Sequence, residues 1–80
     1  MKANIFIRLR EDVPDYPGES IRQRLFENGT SDVKAVRIGK VVTLEFDGGD
    51  EATVTDRVKR LCQDVFVNDT VEEYVFTIEE

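Results

Sequence analysis

The stretch Asp32–Phe46 limits the fold more than any other part of the chain. Two valine-rich runs flank Gly39-Lys40. Glycine at the first position of a two-residue loop suits a type II′ turn, so the stretch is expected to form a β-hairpin. The turn sets a register in which Ile38 faces Val41, Arg37 faces Val42, Val36 faces Thr43 and Lys34 faces Glu45. Opposite charges then lie directly across the ladder at Lys34 and Glu45. A slip of one residue would break that pair and turn every side chain to the other face.

The flanking segments supply the remaining elements. Asn4–Arg10 alternates, with Ile5, Ile7 and Leu9 on one side and Phe6, Arg8 and Arg10 on the other, as a half-buried strand does. Glu11–Gly18 holds Pro14 and Pro17 and reads as a loop. A helix starts between Asp15 and Ser20, capped by Asp15 or by Ser20 with Gln23. Its apolar stripe is short (Ile21, Leu25, Phe26), and Asn28-Gly29 stops it. After a turn at Gly48-Gly49, Thr53 with Asp56 resembles a second capping box. Val54, Val58, Leu61, Cys62 and Val65 then mark a strongly amphipathic helix that ends at Asn68-Asp69. Val71–Ile78 closes the chain as a strand, with Tyr74, Phe76 and Ile78 opposite Val75 and Thr77. The order β-α-β-β-α-β predicts one α+β domain over residues 1–80. Its expected form is two-layered and ferredoxin-like: a four-stranded antiparallel sheet with both helices on one face.

Charge and residue counts narrow the function classes. Eleven basic against seventeen acidic side chains give a net charge of -6, a poor match for nucleic acid or an anionic membrane surface. Histidine is absent and there is one cysteine, which rules out an intrachain disulfide and any Cys-only or Cys/His zinc site. No apolar run approaches a membrane span and no secretory leader is visible, so the chain is expected in the cytoplasm.

The two sheet faces differ from what a free-standing sheet needs. The helix side should carry Ile5, Ile7, Leu9, Val33, Ala35, Val42, Leu44, Phe46, Tyr74, Phe76 and Ile78. The other side should carry Phe6, Val36, Ile38, Val41 and Val75 among polar neighbours. A solvent-facing sheet surface is normally mostly polar, so these five residues form a candidate self-association face, and the chain is expected to be at least a dimer.

No catalytic constellation is visible. Cys62 lies in the apolar stripe of the second helix and reads as a core residue, not a nucleophile. The carboxylates lie in turns and on helix faces, with no spacing suited to acid-base work. The glycines are accounted for by turns and caps, so no phosphate cradle is formed. Arg37 and Lys40 could hold an anion, although exposed charges at a hairpin tip are the plainer reading. The expectation is no catalytic, cofactor or metal residue.

Taken together, several segments resemble one family, the PurS-type small subunit of phosphoribosylformylglycinamidine synthase. They are Ile5–Arg10 with Glu11-Asp12-Val13, then Asp15, Pro17 and Gly18, then Val33-Lys34-Ala35-Val36-Arg37-Ile38-Gly39-Lys40 with Leu44-Glu45. Leu61-Cys62, Asn68 and Val71-Glu72-Glu73-Tyr74 complete the likeness. The family usually has Asp-Pro-Gln-Gly at residues 15–18 and Asn-Pro at 68–69, where this chain has Asp15-Tyr16-Pro17-Gly18 and Asn68-Asp69. The resemblance implies a non-catalytic subunit that forms a homodimer or homotetramer. It also implies bridging of a large synthetase subunit and a glutaminase subunit for ammonia transfer in purine biosynthesis. ATP and magnesium would belong to the large subunit. Arg8, Arg37, Gly39, Lys40, Asn68 and Glu73 are candidate subunit contacts. The alternative is a ferredoxin-like regulatory module that binds a small molecule and dimerises through its sheet.

Overall fold

The computed structural model describes all residues, 1–80. Three strands form one antiparallel sheet: β1 (Lys2–Leu9), β2 (Gly39–Glu45) and β3 (Glu72–Glu79), in the order β2-β1-β3. Helix α1 spans Tyr16–Glu27 and helix α2 spans Glu51–Leu61. The sequence alternation reads the strand faces correctly. Ala3, Ile5 and Ile7 are buried beneath α2, whereas Phe6 and Arg8 are exposed on the other side. Val54, Val58 and Cys62 of α2, with Val67, complete the core.

The expected hairpin does not form, so the sheet has three strands and not four. Residues 32–38 lie outside the sheet, and β2 pairs directly with β1, placing Val41 opposite Phe6 and Val42 opposite Ile5. Lys34 therefore does not meet Glu45, which pairs with Lys2 at 3.7 Å instead. Gly39 explains the error. It lacks the positive φ that a type II′ turn demands of its first loop residue. A side chain there would meet the Ile7 carbonyl oxygen at 2.6 Å, so this glycine permits close approach of two strands and does not reverse the chain.

The second correction concerns α1. No α1 side chain belongs to the core or packs against it, so only one helix covers the sheet. The weak stripe on α1 is the physical reason: Ile21 and Leu25 are only half-buried and Phe26 is exposed. Val33 and Ala35, expected on the helix side of the sheet, lie outside it, in the segment that follows α1; residues 16–38 together make an arm. The rest of the chain is the body. The radius of gyration is 16.2 Å, against about 12 Å for a compact domain of this length.

Local chemistry sets the element ends. Asp15, not Ser20, caps α1: its carboxylate accepts the Gly18 N–H at 2.8 Å. Gly29, at φ 91°, closes α1 with Thr30 N–H donating to Leu25 O and Gly29 N–H to Phe26 O, a Schellman motif. Asp50 caps α2 through the Thr53 N–H, displacing the expected Thr53–Asp56 box. After Leu61 the helix widens into a π turn over Cys62–Phe66, with Val67 N–H donating to Cys62 O. The wider turn rotates Val65 out of the stripe into solvent and brings Phe66 against the core.

Candidate interaction surface

The antiparallel registers align Val41, Phe6 and Val75 in one row across the open face of the sheet. These side chains are 58%, 44% and 68% exposed. The next row holds Arg8 between Gly39 and Glu73, with Arg8 Nε 3.6 Å from the Glu73 carboxylate. The two rows and Arg37 border a trough of about 480 Å³ that Lys40 also lines. Five of the six candidate contact residues thus meet at one place: Arg8, Arg37, Gly39, Lys40 and Glu73.

Asn68 lies apart from them and organises the turn before β3. Its side chain accepts from Thr70 N–H and its carbonyl from Val71 and Glu72 N–H, while its own N–H donates to the Glu72 carboxylate. Lys40 projects on the opposite side from Val41 and pairs with Glu72 at 3.7 Å. Val36 and Ile38 are not on the sheet. Both belong to the arm, so the apolar row is Phe6, Val41 and Val75 without them.

A second constellation was missed in sequence. Asp15, 8% exposed, accepts two backbone N–H groups, from Gly18 and from Ile38 at 2.6 Å. Gly18 sits so close to the Val36 carbonyl that a Cβ would collide with it. Arg37 donates to Arg10 O at 2.8 Å. The Ile38 and Gly18 N–H groups, with the nearby Arg37 guanidinium, hold the Asp15 carboxyl below the usual carboxylate range. The segments that carried the family resemblance, Asp15–Gly18 and Val36–Lys40, therefore meet in one clamp. Two glycines and an aspartate that serve tertiary approach, not turns, were the available signal.

Beyond the clamp the arm is bare. No backbone N–H or C=O of residues 31–37 makes a hydrogen bond within the chain. Cys62, by contrast, is fully buried, and burial pushes its thiol pKa up, away from nucleophilic thiolate.

These features define a class: a small α+β domain with a half-covered sheet, an apolar row on its open face and a strand-length segment without partners. The chain belongs to the PurS family, described as phosphoribosylformylglycinamidine synthase, which it matches over residues 2–80. It is 36% identical over 73 residues to the PurS subunit of that synthase from Thermotoga maritima, covering 91% of this chain and 89% of the relative. The PurS subunit from Synechocystis is 34% identical over 76 residues, covering 95% and 76%. Among solved structures, Methanocaldococcus jannaschii PurS superposes with a TM-score of 0.88 at 25% identity, covering 99% of this chain and 95% of that one. A chain from the Thermotoga maritima PurLQS structure gives 0.85 at 34% identity, covering 95% and 93%. No helix is long and apolar enough to cross a membrane.

Proposed function

We propose that this chain is the non-catalytic small subunit of a cytoplasmic phosphoribosylformylglycinamidine synthase. It self-associates and bridges a large synthetase subunit, which takes ATP and magnesium, to a glutaminase subunit, so that ammonia passes between them. Family membership and the likeness to a chain of PurLQS support the subunit role.

The observation that carries self-association is surface left uncovered. A folded monomer of this mass exposes roughly 4,900 Å², whereas this chain exposes 5952 Å². The excess, about 1,000 Å², is close to one partner's share of a standard interface, about 800 Å². The bare segment 31–37 and the outer edge of β2 are the two halves of a missing strand pair. Two copies laid antiparallel about a two-fold axis between Gly39 and Lys40 restore it. Lys34 of each then meets Glu45 of the other, and the pairing is self-complementary, as a two-fold interface requires. The trough at Arg8, Lys40 and Glu73 remains beside this seam as the surface for the larger subunits.

Light scattering at micromolar concentration tests the first part, with a dimeric or larger mass expected and a monomeric mass overturning it. Co-purification with the synthetase and glutaminase chains tests the second. Glutamine-dependent ATP hydrolysis should require this chain, and Lys40→Ala with Arg8→Ala should weaken the complex. Turnover that is equal with and without the chain would refute the bridging role.

A further inference from the structure

Side chains on the open face of the sheet change character from one end to the other. Glu45, Lys2 and Glu79 form the first row, with Lys2 already paired to Glu45. Thr43, Asn4 and Thr77 follow, the first two joined by a hydrogen bond of 2.9 Å. The apolar row of Val41, Phe6 and Val75 comes next, and beyond it Arg8 and Arg37 line the trough. The Arg8 side chain is 65% exposed, and its ion pair with Glu73 is too long to be a hydrogen bond. Arg37 is tethered by one N–H to the Arg10 carbonyl, which orients its guanidinium without using up its donors. Two guanidiniums therefore share the trough with one carboxylate, in a chain whose net charge is -6.

The geometry points to an acidic side chain of a larger subunit, an Asp or Glu beside a bulky apolar residue, as the group that fills this trough. The inference rests on the bridging role proposed above and adds the chemistry of the contact. A guanidinium can grip a carboxylate through two parallel N–H donors, and arginine is enriched among the residues that dominate interface energies. The bulky neighbour covers Phe6, Val41 and Val75. That requirement selects a protein segment, because a small free anion would satisfy the guanidiniums and leave the apolar row wet. Glu73 then has a definite part. It pairs with Arg8 in the free chain and competes with the incoming carboxylate, so it limits how tightly the partner is held.

Two variants of opposite expected sign test this. The chain is titrated into purified synthetase and glutaminase chains, and the concentration that half-assembles the complex is read. Arg8→Gln should raise that concentration by about tenfold or more, the loss expected for hydrogen bonds to a charged group. Glu73→Gln should lower it about two- to fivefold, since it removes an exposed competing charge. A general loss of stability would weaken assembly in both variants alike. If Arg8→Gln assembles as well as the parent, or Glu73→Gln assembles worse, the trough takes no carboxylate and the inference fails while the bridging role stands. Inorganic phosphate that binds the isolated parent but not Arg8→Gln would mark a site for a free anion and overturn it. So would an Arg8→Gln chain whose own oligomer falls apart, because a second copy would then fill the trough. If the complex assembles and turns over without this chain, the inference and the bridging role fail together.

Discussion

The body and the arm are held by different physics. In the body, β1 has partners on both sides, and Ile5, Ile7, Val54, Val58 and Cys62 are essentially sealed from water. In the arm the only buried residues are Gly18 and, at its root, Asp15, and what holds the segment after α1 is a carboxylate and a steric fit. The body draws on apolar burial, which is non-directional and cooperative. The arm draws on a few directional contacts, which fix its bearing without covering its apolar residues. The chain of 80 residues thus divides into a body with an apolar core of its own and an arm, residues 16–38, that has none.

The sharpest way to break this contrast is to remove side chains from each region. Ile5→Ala should lower the unfolding free energy by about 2–5 kcal/mol in a urea titration of dilute protein. Phe26→Ala on α1 should change it by about 0.5 kcal/mol or less, as expected of an exposed site. Equal losses would mean that the arm shares the body's core. Gly39→Ala, at the junction, should cost about 1–3 kcal/mol because the new methyl group is driven into the Ile7 carbonyl.

Acid should act on the arm first. Bonding to Ile38 N–H, then to Gly18 N–H, with Arg37 nearby, depresses the Asp15 pKa in the folded chain. The unfolded state thus binds the proton more readily, so the clamp's contribution is complete above the unfolded value, about 3.9. It is lost as pH falls through the lower folded value. Amide exchange at Ile38, mapped across that window at matched intrinsic rates, should accelerate before exchange in β1 does, and Asp15→Asn should abolish the pH dependence. The smallest effect belongs to Lys2→Ala, whose exposed pair with Glu45 is worth about 0–1 kcal/mol.

Much of the body was legible in the sequence. Period-two alternation gave the faces of β1 and β3, and Asn28-Gly29 and Gly48-Gly49 gave chain breaks that the positive φ angles at Gly29, Gly48 and Gly49 bear out. Cys62 as a core residue was equally readable. The hairpin was misread because glycine serves two purposes that composition does not separate, left-handed backbone and close approach, and Gly39 serves the second. Helix α1 was wrongly placed on the sheet although its stripe was too narrow to cover one. The π turn left no local mark, since one extra residue in a turn is decided by how Phe66 and Val67 fit the core. The trough was half-legible: Arg8, Arg37, Lys40 and Glu73 were named together as candidate contacts, but the registers that set Arg8 between Gly39 and Glu73 are fixed by strand pairing, which the local pattern does not reveal.

The sealed thiol has a practical consequence. Because Cys62 is shut inside the body with its proton held firmly, maleimide dyes and spin labels will pass it by in the folded protein. A cysteine introduced at solvent-exposed Ser31 or Lys34 would be the sole reactive handle on the molecule. A fluorophore pair carried there on two differently coloured preparations would report whether copies of the chain come together, with Cys62 left in place.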